Sequence, residues 1–171
     1  MQQTIAKDTE QMDGIVRQYL TFMLVDKTYG LDILNIKEII EYGEVTEVPM
    51  TPDFIAGVIN LRGSVVPVID LIQRFTNQPM QVTKRTSIVI LEVEDDDLKI
   101  EFGVTVDKVN QVLDINTAEI EPAPTLGNQI NASFISGMAK IQDKLLIILN
   151  IEKVMTIDEL SMVGSIQQTL E

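Results

Sequence analysis

The chain has 171 residues, enough for one domain or a pair of small interlocked subdomains and too few for two full-sized enzyme domains. Hydrophobic residues make up 45% and charged residues 23%, which is too apolar for disorder and ample for a packed core. A formal net charge of -13 argues against nucleic acid or an anionic membrane face as the main partner, because both demand basic patches. Cysteine and histidine are both absent, which removes disulfides, thiolate metal sites, the commonest general base and the commonest metal ligand. No stretch approaches the roughly 18 consecutive apolar residues of a membrane helix, and Met1 to Gly14 is polar with no signal core, so a cytoplasmic chain without membrane insertion is expected.

In chain order, residues 1–16 lack periodicity and read as a mobile tail. The body that follows is rich in β-branched side chains, with 23 Ile and 17 Val against only 6 Ala, and is predicted to be mainly β. Strand signals fall on Tyr19 to Val25, Ser64 to Leu71, Thr86 to Val93, Glu101 to Val106 and Leu145 to Ile151. Asp26-Lys27-Thr28 and Glu94-Asp95-Asp96-Asp97 lie between such runs and read as hairpin loops. Pro67 cannot donate to a ladder, which predicts an edge strand or a bulge there. A cap and a proline predict one helical turn over Pro52 to Ala56, and Leu71 to Phe75 suggests another. The last segment is the strongest helix: Thr156-Ile157-Asp158-Glu159 fits a capping box, and Ile157, Leu160, Val163, Ile166 and Leu170 recur at helical spacing over 156–171.

The chain also repeats itself. Tyr29-Gly30-Leu31-Asp32-Ile33 overlays Phe102-Gly103-Val104-Thr105-Val106 at an offset of 73, and the alignment runs on to Glu41 and Asp114. Phe54-Ile55-Ala56-Gly57 overlays Phe134-Ile135-Ser136-Gly137 at an offset of 80, continuing to Leu71 and Ile151. Pro49 matches Pro124, and the extra residues fall in Thr125 to Ser133. Two similar β subdomains of about five short strands each are expected, repeat one over about 19–71 and repeat two over about 86–151, with strand exchange between them left open. The copies act as each other's control: a residue special to one copy was not required by the shared fold. Copy one has Asn60-Leu61-Arg62-Gly63 where copy two has Lys140-Ile141-Gln142-Asp143, so Arg62 is either a solvated turn residue or a planar five-donor probe for a partner.

Other chemistry-bearing groups read as structural. Glu92 and Glu94 to Asp97 offer hard oxygen ligands but lack the glycine and closing glutamate of a calcium loop. Glu38 and Glu41 could form a carboxylate pair for acid–base work, as any two acids in so acidic a chain could. Gly30, Gly57 and Gly63 do not have phosphate-loop spacing, and Met138, Met155 and Met162 read as packing residues. No metal and no cofactor are expected.

The run from Phe54 to Leu71 resembles the signature of the CheW family of bacterial chemotaxis coupling proteins. The resemblance extends through Tyr29 to Leu34, Ile120-Glu121-Pro122-Ala123-Pro124, Phe134 to Gly137 and Leu149-Asn150-Ile151-Glu152-Lys153, covering roughly residues 18 to 155 in family order and spacing. It implies two intertwined five-stranded barrels of the Src-homology-3 type, in a domain over 17–155 followed by a C-terminal helix. It implies a non-catalytic adaptor, a monomer when isolated, joining the cytoplasmic tips of methyl-accepting chemoreceptors to the regulatory domain of the histidine kinase CheA in membrane-attached arrays. Receptor contact in the family uses the groove between the barrels, and the matching positions are Ile36, Glu38, Gly57, Arg62 and Val65, with Asn60, Leu61, Arg62 and Gly63 as the signature turn. Kinase contact uses apolar strand ends that the resemblance does not assign residue by residue. Alternatives are a coupling protein of a different chemosensory pathway and a CheV-type coupling domain, which would continue into a receiver domain where this chain ends at Glu171. A more distant alternative is a small carboxylate-dependent hydrolase with facing acids.

Overall fold

The β-branched runs form ten strands, seen in a computed structural model that describes residues 14–95, 97–122 and 134–170. They are β1 (Val16–Leu24), β2 (Lys27–Asp32), β3 (Ile36–Glu41), β4 (Ile55–Leu61), β5 (Ser64–Ile69), β6 (Ser87–Asp95), β7 (Leu98–Val106), β8 (Lys108–Asn116), β9 (Ile135–Ile141) and β10 (Lys144–Leu149). Two short helices complete the fold, α1 (Leu71–Thr76) and α2 (Ile157–Leu170). One sheet runs β8-β1-β2-β10-β9, called barrel one below, and the other β3-β6-β7-β5-β4, called barrel two. The two orders become identical when each strand of the first repeat is exchanged for its counterpart five strands later. Neither repeat forms a sheet by itself: each gives its first two strands to one sheet and its last three to the other, which settles the open question of strand exchange.

Each sheet closes on itself beyond its last named strand. The chain leaving β3 pairs back onto β4 through Thr46 and Val58, with reciprocal N–H···O bonds of 2.9 and 2.8 Å, and the chain leaving β8 pairs onto β9 through Glu121 and Met138 at 2.8 Å each way. Closure removes the open edges that would otherwise recruit other chains. It also brings backbone against backbone beside the glycine of each Phe-Ile-x-Gly block. A Cβ at Gly57, whose φ is +151°, would stand 2.3 Å from the Thr46 carbonyl oxygen, and one at Gly137 would stand 2.8 Å from the Glu121 carbonyl oxygen. The repeated glycine therefore exists to let each barrel close.

Several local expectations change in three dimensions. The first hairpin turns at Val25-Asp26, with φ of 49° and 63°, so Lys27 and Thr28 already belong to β2. Glu94 and Asp95 are paired residues of β6 rather than loop. Pro67 lies neither at an edge nor in a bulge, since β5 sits between β4 and β7; the parallel ladder to β7 starts only at Val68, so no donor is missed. Instead of a helical turn over Pro52 to Ala56 there is a single bend closed by the Ile55 N–H on the Pro52 carbonyl at 3.0 Å, because Ile55 and Ala56 are claimed by β4. Helix α1 forms as expected, capped by Asp70, which accepts from the Gln73 N–H at 3.0 Å, and ended by Asn77 in the left-handed region. The expected capping box is also present: Thr156 Oγ1 accepts from the Glu159 N–H at 3.1 Å and Glu159 Oε1 accepts from the Thr156 N–H at 2.8 Å. The expected tail, the loop from Thr125 to Ser133 and the match at Pro124 fall mostly or wholly outside the described residues, although Val16 already pairs with Asn116 in β1.

Three apolar clusters hold the fold. Ile59, Val66, Val68, Ile88 and Ile90 fill barrel two, and Tyr19, Ile115, Ala139, Leu146 and Ile148 fill barrel one. The largest cluster is the seam, where Leu20, Phe22 and Tyr29 of one sheet meet Leu91, Phe102 and Val104 of the other. Helix α2 buries Val163 in that seam, beside Met155.

Adding one methyl group at the closing point tests the closure argument. Gly57→Ala should destabilise the fold by about 1–3 kcal/mol, read from its urea midpoint, since overpacked sites cost that much. Gly63→Ala, where a Cβ meets nothing within 4 Å, carries only the penalty of its φ of +88° and should cost less. Equal losses at the two positions would contradict the assignment.

Candidate functional site

Arg62 and Gly63 are the central residues of the two-residue turn between β4 and β5, with φ of 53° and 88°. Both angles are positive, as the turn matched to strand twist requires. Asn60 steadies the turn by accepting the Gly63 N–H on its side-chain oxygen at 3.1 Å. The counterpart turn, Gln142-Asp143, has φ of 50° and 65°, so the backbone is the same without arginine or glycine. Leu61, the last residue of β4, packs partly buried against the barrel-two interior.

Arg62 is neither free nor buried. Its guanidinium forms a two-point pair with the Glu38 carboxylate, Nη1 to Oε1 and Nη2 to Oε2, the second at 2.9 Å, while its side chain stays 74% exposed. The hydrogen bond from Arg62 is the chief reason that the Glu38 carboxyl sits below the usual glutamate range. Glu38 therefore favours the fold above the ordinary glutamate pKa, and that contribution disappears as pH falls through the lowered value.

The other matched residues lie around this pair and do not share its face. In the pairing of β3 with β6 the register shifts at Lys37, so Ile36 lies opposite Leu91 and Glu38 opposite Ile90. Leu91 belongs to the seam and Ile90 to the interior of barrel two, which turns Ile36 toward the first and Glu38 toward the second. Val65 is half-buried and lies opposite Asn60, while Gly57 is at the closing bridge. Glu41 alternates away from Glu38 on β3 and pairs with Ser87, so the carboxylate pair imagined from spacing is not assembled.

The shift at Lys37 serves a second ion cluster. Lys37 Nζ lies 2.6 Å from Glu101 Oε2 and 3.6 Å from Glu92 Oε2, and Glu92 and Glu101 lie directly opposite each other on β6 and β7. Two facing carboxylates repel, and the ammonium between them offsets it. Glu92 lies in a strand, as expected from the run Thr86 to Val93, but nothing along the chain singles out Lys37, because a bulge is invisible until two strands pair.

Comparison of the two barrels gives the sharpest contrast. Under the repeat, Ile36, Glu38, Gly57, Arg62 and Val65 correspond to Val109, Gln111, Gly137, Gln142 and Leu145. Four of these, all but Gly137, line one open groove of about 1580 Å³ on barrel one. Lys37 and Glu101 correspond to Asn110 and Thr28. Glu92 corresponds to Met23, because Thr21 lies opposite Gly30 as Ile90 lies opposite Gly103. All three counterparts line the same groove. Where barrel two carries five charged side chains knitted into ion pairs, barrel one has uncharged side chains at the matching positions of its groove, with Leu145 54% exposed. Lys27, Arg85, Lys108 and Lys144 line the groove as well, with Asp26 and Asp107.

The Arg62 pairing has a direct spectroscopic test. In Arg62→Ala, the Glu38 carboxyl followed by side-chain carbon NMR should titrate higher than in the parent, back toward an ordinary glutamate. An unmoved titration would mean that the ion pair does not persist in solution.

Known proteins share this architecture. The CheW-like domain family model matches residues 18–159. The chemotaxis protein CheW of Klebsiella aerogenes is 33% identical over 157 residues, spanning 92% of each chain. That of Bacillus subtilis is 35% identical over 136 residues, covering 80% of this chain and 85% of its own. The crystal structure of the scaffolding protein TtCheW from Thermoanaerobacter tengcongensis superposes with a TM-score of 0.75 at 34% identity, over 89% of this chain and 96% of that one. With the exchanged strands, the two closing glycines and the Asn60 to Gly63 turn in place, the chain belongs to the CheW-like domain family of chemotaxis proteins.

Proposed function

We propose that this chain is a non-catalytic coupling adaptor of bacterial chemotaxis, joining chemoreceptor cytoplasmic tips to the regulatory domain of the histidine kinase CheA. The observation that carries the reading is the contrast between the two barrels. One backbone plan, used twice, carries a rim of ion pairs on barrel two and, at the matching positions in the groove of barrel one, uncharged side chains. The shared fold explains neither set of side chains, since each barrel manages without the other's. A difference of this kind suits a scaffold that must hold two unlike partners at once.

The receptor is assigned to barrel two, around Ile36, Glu38, Arg62 and Val65. A receptor tip is a helical hairpin whose surface offers carboxylates and side-chain amides, and the exposed guanidinium, already oriented by Glu38, presents its remaining donors to them. Gly57 serves that surface indirectly, through the closing of the barrel. The kinase domain is assigned to barrel one, where Val109, Leu113, Met138 and Leu145 line the groove. Recruitment to receptor arrays at the cytoplasmic face of the membrane follows from the first contact. No helix among the described residues is long and apolar enough to cross a bilayer.

Two binding measurements test the division of surfaces. Arg62→Ala should weaken association with a receptor cytoplasmic fragment by at least about tenfold, equal to roughly 1.4 kcal/mol, and leave kinase-domain binding unchanged. Gln142→Ala, at the matching turn, should leave receptor binding intact. Leu145→Glu should do the reverse of Arg62→Ala, weakening the kinase complex alone. In a salt titration the kinase complex should outlast the receptor complex, because exposed charge pairs are screened over a Debye length of about 8–10 Å and apolar contacts are not. Normal receptor binding by Arg62→Ala, or the opposite salt ranking, would refute the assignment.

A further inference from the structure

We infer that Arg74 is the positioning residue of the whole molecule: one guanidinium, set between the matching phenylalanines of the two repeats, fixes how barrel one and barrel two are turned relative to each other. The inference goes beyond the proposed adaptor function and does not depend on which partners bind.

Phe54 and Phe134 are counterparts, each immediately preceding the strand that closes its barrel, β4 in barrel two and β9 in barrel one. Each is tied to the residue just past the strand that follows in its repeat, Phe54 by its carbonyl accepting the Asp70 N–H at 2.7 Å and Phe134 by its carbonyl accepting the Asn150 N–H at 2.8 Å. The Arg74 guanidinium carbon lies 5.0 Å from the Phe54 ring centre and 5.5 Å from that of Phe134. Both distances are within the range of attraction between a cation and an aromatic face. From the same group, Nε donates to the Val154 carbonyl at 3.0 Å, and Nη1 and Nη2 reach the two oxygens of Glu159 at 2.9 and 2.7 Å. Glu159 Oε1 also accepts the Thr156 N–H that starts α2. Only 19% of either side chain in the Arg74–Glu159 pair is exposed.

The repeat supplies the control once more. Leu71 and Phe75 of α1 have counterparts in Ile151 and Met155, buried like them, whereas the counterpart of Arg74 is Val154, the residue whose carbonyl Arg74 engages. The fold completes that corner of repeat two with valine, so arginine is not a requirement of either barrel. It is required where the two repeats meet. The rest of the junction is apolar and includes Met80, Met138 and Met162, and apolar attraction has no preferred direction. A planar guanidinium lying over two ring faces has one. By holding Phe54 and Phe134 together, Arg74 fixes β4, which leads into Arg62, against β9, which bears Met138, and thereby the charged rim against the groove of barrel one.

The chain has no cysteine, so Glu41→Cys on barrel two and Lys140→Cys on barrel one, both exposed strand positions, can carry a single pair of spin labels. The inter-label distance distribution is then measured by pulsed electron paramagnetic resonance in full-length protein. Arg74→Met, which keeps the stem and loses the fork, should shift the mean distance and broaden the distribution beyond the spread of the labels themselves. Glu159→Gln, which loosens α2 but leaves Arg74 between the rings, should leave the distribution as in the parent, although both variants lower the urea midpoint. An unchanged distribution in Arg74→Met overturns the inference. So does an equal change in Glu159→Gln, which would make α2 the positioning element. Arg74→Lys retains the charge but not the flat fork and should resemble Arg74→Met; a parental distribution in this variant would mean that charge alone suffices and would also overturn it. If Arg74→Met does not fold, the lysine variant decides the matter.

Discussion

Everything in this fold depends on one close approach: the chain leaving the third strand of each half must cross a bare glycine backbone to close a five-stranded sheet. At Gly57 the neighbouring carbonyl leaves no room for a methyl group, and Gly137 repeats the arrangement. Closure removes the unpaired edges that an open five-stranded sheet of this apolarity would present to other chains. Strand exchange then couples the two closures. Because each repeat contributes to both barrels, neither half can be completed without the other, and the seam between them becomes the largest apolar cluster of the molecule.

On this duplicated frame the two ends have diverged in chemistry. In barrel two a bulge at Lys37 turns Glu38 toward Arg62 and places an ammonium between Glu92 and Glu101. In barrel one the bulge persists opposite Thr21, whose hydroxyl bonds the Gln111 carbonyl at 2.7 Å, but the side chains there are amides, a hydroxyl and a thioether. The Arg62–Glu38 pair, whose arginine side chain is 74% exposed, contributes only modestly to stability. The open groove of barrel one costs packing that barrel two retains: Ile59 and Ile90 in one interior become Ala139 and Thr21 in the other.

Much of this was legible before any coordinates. The offsets of 73 and 80 announced two copies of one unit, the β-branched composition announced sheets, and Thr156 with Glu159 announced a capped helix. Asn60 and Gly63 announced a tight turn. The comparison of copies singled out Arg62, and its resemblance to a family signature placed it at a surface. Local rules failed where pairing overrode them. Lys27 and Glu94 look like turn residues and are strand residues, because cross-strand partners held them; Pro67 sits within a sheet because the neighbouring ladder begins one residue later.

The sequence by itself determined the class of fold, the duplication, the turn chemistry and the absence of cysteine and histidine chemistry, because each follows from residue type and spacing along the chain. Only the tertiary structure decided which strands share a barrel, since two equivalent repeats offer equivalent partners and nothing local distinguishes a strand of one's own repeat from its copy. The same holds for the pairs Arg62–Glu38, Lys37–Glu101 and Arg74–Glu159, separated by 24, 64 and 85 positions along the chain. An acidic chain offers every cation many carboxylates, and which one it meets is set by the closing of the barrels.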